Sequence, residues 1–193
     1  MTNAPGAPGS KSPGELDELT LRRAQRGEAD ACLALVRRYE RPVFALLSRM
    51  LGGRRQLVQD LAQETFLRVF RALARFKVLG PARLSTWILT IATRLALDEL
   101  RKRLLTEPLA LADKLPPPAR ADDEARRRRL GVAIARAVGE LAPDYRAVFL
   151  LREYHELGYD EIARALDVDL GTVKSRLSRA RSALRDALSE VRE

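Results

Sequence analysis

The feature that most constrains the fold is the helical spacing of apolar residues between 158 and 188. The first predicted helix of this stretch buries Ile162, Ala163 and Leu166 on one face. The second buries Val173, Leu177, Ala180 and Leu184, at intervals of four, three and four residues. Asp167 and Val168 between them predict a tight turn, and the side chain of Asp169 is suited to cap the second helix. The stretch therefore predicts a helix-turn-helix.

The exposed faces of the second helix are strongly basic. Its charged residues are Lys174, Arg176, Arg179, Arg181 and Arg185, against the single acid Asp186, and three serines lie among them. A helix-turn-helix places the start of its second helix on base edges in the major groove, with basic residues near phosphates. A plain amphipathic hairpin with a solvated charged face is the alternative, and the basic composition favours DNA binding.

The composition of the whole chain points the same way. With 193 residues and a formal net charge of +9, the chain can form one sizeable domain or two small ones, and a polyanionic partner is expected. No segment approaches the roughly 20 apolar residues that span a bilayer, and no secretory signal is visible, so we expect no direct membrane insertion. A single cysteine, Cys32, excludes an intramolecular disulfide and favours a reducing, cytoplasmic location.

Catalytic and cofactor-binding motifs are missing from the sequence. One histidine and one cysteine cannot form a conventional zinc cluster. The chain also contains no phosphate-binding glycine loop and no nucleophile elbow. We therefore expect no cofactor and no enzymatic activity.

Upstream of the hairpin, the chain begins with a Pro-, Gly- and Ser-rich tail over residues 1–14, which we expect to be disordered. A short helix with Leu19 facing inward should follow, and then a longer one that Pro42 kinks or interrupts. Residues 54–75 form the clearest amphipathic helix of this half. Off its apolar stripe lie Asp60, Gln63 and Glu64, at positions i, i+3 and i+4. Such an acidic patch in a basic protein is better explained by a protein partner than by DNA, with a solvated face as the alternative.

A loop around Gly80 and Pro81 then separates that helix from the next, which Ser85 could cap. Trp87, the only tryptophan, lies one turn beyond the loop, where it could pack in the core, hold an unstacked base, or do both. Residues 105–124 contain four prolines and predict an extended linker. A four-arginine run, Arg126–Arg129, opens the following helix. With no strand pattern anywhere, the prediction is an all-α fold of two small helical bundles joined by a Pro-rich linker, the C-terminal one containing the helix-turn-helix.

Two separated blocks of the sequence resemble one family. DLAQETFLRVFRAL and LSTWILTIATRLALDELRKR are similar to the second conserved region of the extracytoplasmic-function (ECF) sigma factors of bacterial RNA polymerase. LAPDYRAVFLLREYHELGYDEIARALDVDLGTVKSRLSRARSAL resembles their fourth region. The resemblance implies region 2 over residues 15–104, a linker over 105–125 and region 4 over 126–193.

The family's functions imply roles for particular residues. Asp60, Gln63 and Glu64 match positions that bind the clamp of core RNA polymerase, whose flap is bound by region 4. The surface for minus-ten recognition and melting is matched by Gly80, Arg83, Trp87, Thr90, Arg94 and Arg101. The minus-thirty-five surface is matched by Gly171, Thr172, Lys174, Ser175, Arg176 and Arg179. The family also implies control by an anti-sigma factor.

The resemblance is accompanied by four departures from the family pattern and by two rival hypotheses. Asp169 stands where Pro or Ser is common. Many relatives have Asn where this chain has Arg94, which changes the expected base preference at the minus-ten element. Gly158 replaces a common capping Ser, and Asp167 replaces the usual turn glycine. A self-sufficient helix-turn-helix regulator, with the N-terminal bundle as sensor or dimerisation domain, is the first rival. A regulatory interaction protein with a vestigial DNA surface is the second.

Overall fold

The chain is described by a computed structural model for residues 15–78, 80, 82–106 and 123–189. These residues form eight helices and no strand, which confirms the all-α prediction. The helices are α1 (Glu18–Gln25), α2 (Ala29–Met50), α3 (Arg55–Leu73), α4 (Leu84–Thr106), α5 (Asp123–Glu140), α6 (Pro143–Glu153), α7 (Tyr159–Leu166) and α8 (Leu170–Ser189). The predicted tail, most of the predicted linker, and Pro81 lie outside the described residues.

Helices α1 to α4 pack as the N-terminal bundle around α2, whose inner face contains Leu35, Tyr39 and Val43, all at most 1% exposed. Helix α2 continues through Pro42 without interruption, since the buried residues on both sides of it hold the helix against its neighbours. The prediction that Leu19 of α1 faces inward is wrong: its side chain is 68% exposed, and Leu21 faces the core instead. On such a short helix, the way α1 packs on α2 decides which side chains are buried, and the spacing of its apolar residues alone does not define that packing.

Helices α5 to α8 form the C-terminal bundle, in which α7 and α8 are the predicted helix-turn-helix. The four residues predicted to bury α8 are all at most 7% exposed: Val173, Leu177, Ala180 and Leu184. Asp167 ends α7 in the left-handed conformation, with φ of 55°, as its place in the turn predicted. Two of the three residues predicted for the inner face of α7, Ala163 and Leu166, are only half-buried, and Ala165 is buried beside Ile162.

The two bundles pack directly against each other. Helices α2 and α4 of the first contact α6 and α7 of the second, and one apolar cluster continues across both. Arg146 on α6 is buried at this junction, where its guanidinium donates to the carbonyl oxygens of Met50, Gly139 and Leu141. These oxygens lie at or near the C-terminal ends of α2 and α5, whose partial negative charge suits a cation. Desolvation lowers the pKa of Arg146, because burial disfavours the charged form. The three carbonyl acceptors offset part of this cost by accepting hydrogen bonds from the guanidinium.

The N-terminus of α4 is organised by a distant residue. The helix begins at Leu84, so Ser85 lies in its first turn and the prediction that Ser85 caps it is wrong. The carboxylate of Glu15 instead accepts hydrogen bonds from the backbone N–H and the hydroxyl of Ser85, and from the Tyr39 hydroxyl. Burial raises the pKa of Tyr39 to about 12, so this hydroxyl keeps its proton at neutral pH. No helix in the described ranges is both long and apolar enough to cross a membrane.

Candidate functional site

The acidic patch lies on the solvent side of α3. Asp60 and Gln63 are exposed and Glu64 is half-buried, while Val58 and Val69 on the opposite side of the helix are buried. Asp60 accepts a hydrogen bond from Gln56 (3.0 Å between Nε2 and Oδ1), and Glu64 pairs with Arg68 at 2.7 Å. The helix therefore presents all three predicted side chains together on a packed support.

Leu67, which the sequence interpretation did not select, extends this patch. It is 43% exposed and lies one turn beyond Gln63 and Glu64 on the same side of α3. An exposed leucine beside two carboxylates resembles an interface with an apolar centre and a polar rim. The sequence signal that could have identified Leu67 is its position seven residues after Asp60, which places both residues on the same face of the helix.

The loop between α3 and α4 forms a small pocket with Trp87. The Gly80 backbone N–H donates to the Lys77 carbonyl at 2.9 Å, and a Cβ at Gly80 would lie only 2.9 Å from that oxygen. The turn therefore requires glycine. Trp87 packs against Phe76, with ring centroids 5.0 Å apart and planes inclined by 36°. Both rings line a cavity of about 290 Å³ that also contacts Arg75, Lys77 and Gly80.

The remaining residues predicted for the minus-ten surface do not line this pocket. The Thr90 hydroxyl donates to the Thr86 carbonyl of its own helix at 2.7 Å. Arg83 is exposed and lines a different cleft. Arg94 and Arg101 reach the C-terminal bundle: Arg94 donates to the Ala165 and Arg164 carbonyls, and Arg101 lies 3.4 Å from the carboxylate of Asp144.

The start of α8 is fixed by Asp169, as predicted. Its Oδ1 accepts from the Thr172 backbone N–H at 2.7 Å, and its Oδ2 accepts from the Thr172 hydroxyl at 2.5 Å. The hydrogen bonds from Thr172 hold the pKa of the Asp169 carboxyl below its usual value. Gly171 keeps this cap accessible, since a Cβ there would lie 3.0 Å from Oδ1. The Thr172 hydroxyl is thus committed to the cap, whereas Lys174 and Ser175 are exposed on the second turn of α8.

Two of the predicted DNA-binding arginines on α8 contact α6. Arg176 lies 3.7 Å from the Asp144 carboxylate, and Arg179 donates to the Tyr145 hydroxyl at 3.0 Å. Asp144 and Tyr145 were missed by the sequence interpretation, because nothing in the first turn of α6 distinguishes a residue that supports α8 from one that faces solvent. Asp144 serves arginines from both bundles, Arg101 on α4 and Arg176 on α8.

A larger cleft of about 860 Å³ lies where the bundles meet, and it contacts Arg49, Arg83, Thr86, His155 and Glu161. The guanidinium of Arg49 lies 4.4 Å from the ring centre of Tyr154 across the junction. The Nε2 atom of His155 is buried and has no hydrogen-bond partner in the described part of the chain. Burial, with a smaller contribution from Arg49, lowers the pKa of His155 to about 4, so this ring is neutral at pH 7.

Comparisons with known proteins agree with this arrangement. The family model "Sigma-70 region 2" matches residues 35–104, and "Sigma-70, region 4" matches residues 131–184. The chain is 31% identical over 193 residues to the RNA polymerase sigma-H factor of Pseudomonas aeruginosa, covering 92% of this chain and 96% of that protein. It is 31% identical over 186 residues to the ECF RNA polymerase sigma factor SigW of Bacillus subtilis, covering 89% and 96%.

A third relative is longer. The ECF RNA polymerase sigma factor SigE of Mycolicibacterium smegmatis is 36% identical over 164 residues, which are 81% of this chain and 61% of that protein. Among solved structures, CnrH in complex with the cytosolic domain of CnrY superimposes with a TM-score of 0.65 at 25% identity, covering 90% of this chain and 97% of that one. The sigma factor RpoE from Bartonella quintana has the same fold, with a TM-score of 0.61 at 21% identity, covering 86% and 98%.

Two helical bundles, one ending in a capped helix-turn-helix with a basic second helix, define a transcription factor of the sigma class. The chain belongs to the ECF sigma factors of RNA polymerase. The self-sufficient regulator considered above is therefore not favoured.

Proposed function

We propose that this sigma factor binds core RNA polymerase through α3, reads and helps open the minus-ten element through the loop before α4, and reads the minus-thirty-five element through α8. The observation that carries the proposal is the presence of three chemically distinct surfaces on three different segments of the fold. The acidic patch lies on α3, the aromatic pocket lies at the α3–α4 loop, and the basic helix start belongs to α8. We assign these surfaces to residues 15–104 and 126–193, with residues 105–125 as the connection between them.

The acidic patch suits a basic surface of the polymerase clamp. Asp60, Gln63 and Glu64 offer carboxylate and amide oxygens from a helix whose far side is buried, so their positions need little ordering on binding. Leu67 adds apolar area at the same place. The C-terminal bundle is assigned to the polymerase flap, by resemblance alone.

The pocket beside Trp87 suits an unstacked base. Two aromatic rings 5.0 Å apart, with Arg75 and Lys77 at the rim, combine a stacking surface with positive charge for the backbone. Extruding a base costs a few kcal/mol, and stacking on an aromatic side chain returns about 1–3 kcal/mol per base. Melting of the minus-ten element can therefore be assisted without hydrolysis. The polymerase supplies the catalysis, so we assign no enzymatic activity and no cofactor to this chain.

The first turns of α8 suit the major groove. Lys174 and Ser175 are exposed where a recognition helix contacts bases and phosphates. Arg176 lies beside them on the same turn, and Arg179 follows on the next turn. The Asp169 cap holds the helix start in place, and the four buried residues of α8 fix its rotation on the bundle.

The cellular partners follow from the family. Sigma factor RpoE of Bartonella quintana was solved with the anti-sigma factor NepR, and CnrH with the cytosolic domain of CnrY. By this likeness we propose that an anti-sigma factor controls the present chain too. Because core polymerase and the chromosome are cytoplasmic in bacteria, we place its action in the cytoplasm.

The assignment of α8 is tested by Lys174→Ala combined with Arg176→Ala. We expect holoenzyme to bind a promoter fragment about 100-fold more weakly, since two base or phosphate contacts are lost, and the slope of log affinity against log salt to fall by about two. Titration of labelled promoter DNA at several salt concentrations measures both quantities.

Arg185→Ala is the control for that experiment, because Arg185 is exposed on the same helix three turns further along. We expect it to change affinity less than about threefold, as surface charges away from the contact do. Equal losses from Arg185→Ala and from the double variant would contradict the assignment, because they would show a diffuse charge effect.

A further inference from the structure

A tyrosine outside the helix-turn-helix holds one of the arginines assigned above to promoter reading. The guanidinium of Arg179 donates from Nη1 to the hydroxyl oxygen of Tyr145 on α6, at 3.0 Å. We propose that Tyr145 is a positioning residue for promoter recognition, whose hydroxyl holds Arg179 in the orientation that discriminates one base pair of the minus-thirty-five element. The inference rests on the proposed function of α8 and adds a specificity-determining residue to it.

The hydroxyl of Tyr145 has a fixed support. Its ring is half-buried in the first turn of α6 and packs against the apolar core. On α8, Leu177 and Ala180 on either side of Arg179 are buried, at 2% and 0% exposed. Close packing of both helices fixes the backbone at the two ends of this hydrogen bond. The long side chain of Arg179 is therefore the flexible part of the contact, and the hydroxyl restrains it.

Arg179 shares a face of α8 with the exposed start of the helix. Gly171, Ser175 and Arg179 follow one another at intervals of four residues, which places them on one side of the helix. All three are exposed. Long side chains on a helix lean toward its N-terminus, and the small residues at the two preceding positions leave room for this. An arginine here can extend toward the part of a recognition helix that contacts base edges.

A neutral partner distinguishes Arg179 from Arg181, two residues further along α8. Arg181 makes two hydrogen bonds to the carboxylate of Glu153, at 2.6 and 3.2 Å. That carboxylate compensates the charge of its arginine and competes with DNA for its donors. The Tyr145 hydroxyl instead bonds one of five N–H donors and leaves the charge of Arg179 uncompensated. The edge formed by Nε and Nη2 can then make the bidentate contact with guanine that arginine commonly makes.

A restrained arginine should affect discrimination between bases more than total affinity. The rotamer freedom that a side chain loses on binding opposes the contact, and the Tyr145 hydrogen bond removes part of that freedom beforehand. Without the hydroxyl, Arg179 can also turn to nearby phosphates, which add affinity without sequence information. We therefore expect loss of the hydroxyl to lower the preference for the correct base while much of the non-specific binding remains.

The test compares Tyr145→Phe with the parent in intact holoenzyme, since phenylalanine keeps the ring and removes only the hydroxyl. Each base pair of the minus-thirty-five element in a promoter fragment is exchanged in turn. The ratio of affinities for the original and the exchanged DNA is measured at one salt concentration. We expect Arg179→Ala to remove a discrimination of about tenfold or more at one base pair. Tyr145→Phe should reduce it by about three- to fivefold, at the same base pair only.

Two controls isolate the hydroxyl. In an Arg179→Ala background, Tyr145→Phe should have no further effect, because the hydroxyl acts only through that arginine. Tyr154→Phe removes a hydroxyl from the exposed tyrosine that follows α6, and its ring contact with Arg49 is kept. We expect Tyr154→Phe to retain the parent's discrimination at every base pair. Melting temperatures of all variants report whether the fold is retained.

The outcomes separate the positioning role from the proposed function. Unchanged discrimination in Tyr145→Phe, an equal loss with and without the Arg179 side chain, or a uniform loss at every base pair would overturn the positioning role. Tighter binding by Tyr145→Phe would also overturn it, because the hydroxyl would then withhold Arg179 from DNA. In all these cases Arg179→Ala still weakens promoter binding. If Arg179→Ala and the double variant of Lys174 and Arg176 both bind like the parent, the proposed function of α8 fails and the positioning role fails with it.

Discussion

Replacing Asp60 and Glu64 together with alanine is expected to weaken binding of core RNA polymerase by about 100-fold, since removing charged interface groups typically costs 2–5 kcal/mol. The fold should be unaffected, because neither carboxylate is buried and their partners Gln56 and Arg68 are surface residues of the same helix. Fluorescence anisotropy of labelled protein titrated with core enzyme measures the affinity, and thermal denaturation measures the fold.

The control for charge removes two acids elsewhere on the same bundle. Glu18→Ala with Asp30→Ala also deletes two surface carboxylates, which pair with Arg22 and Arg23. We expect this variant to bind core polymerase within about threefold of the parent, as exposed ion pairs outside an interface contribute little. If the Asp60 and Glu64 variant assembles holoenzyme as well as this control does, α3 is not the clamp-binding helix.

Trp87→Ala is expected to reduce the yield of open promoter complexes by about 10- to 100-fold. This factor corresponds to the stacking energy of one base on an aromatic side chain, about 1–3 kcal/mol. Trp87 packs on Phe76 and lines the pocket beside Gly80, so its removal deletes the main stacking surface. Permanganate reactivity of unpaired thymines reports the extent of opening on duplex promoter DNA.

A template mismatched across the minus-ten element separates capture of the base from simple loss of structure. Mismatched bases are already unpaired, so we expect the deficit of Trp87→Ala to shrink several-fold on this template. Trp87→Phe keeps an aromatic face and should recover most of the activity on duplex DNA. Because Trp87 is half-buried, the melting temperature of each variant is measured in parallel. Equal deficits on both templates, or a Trp87→Phe variant as impaired as Trp87→Ala, would contradict a base-holding role.

The helix-turn-helix could be predicted almost completely from its sequence. Burial of Val173, Leu177, Ala180 and Leu184, the cap by Asp169 and the left-handed Asp167 are local consequences of spacing and side-chain chemistry, and all are confirmed. The acidic patch was predictable for the same reason, since residues at i, i+3 and i+4 share a helix face. Its role, like those of the other site residues, stays a prediction.

Contacts between distant residues were not predictable, because periodicity indicates which face is buried and not what covers it. Glu15 stabilises the start of α4 across 70 residues, in the place assigned to Ser85. Arg146 would be expected at the surface by its type, yet it is 8% exposed, with only carbonyl partners for its guanidinium. The proximity of Asp144 to Arg101 and Arg176 could not be predicted either, because it depends on how α4, α6 and α8 pack together.

The central claim is that this chain confers promoter recognition on core polymerase and does not act alone. Run-off transcription from a candidate promoter upstream of its own gene, with purified core enzyme, tests it most directly. We predict a discrete transcript that requires both core enzyme and the sigma factor, and weak binding of the promoter by the sigma factor alone. A lack of transcript from every candidate promoter, together with tight binding of a symmetric operator by the protein alone, would contradict the account.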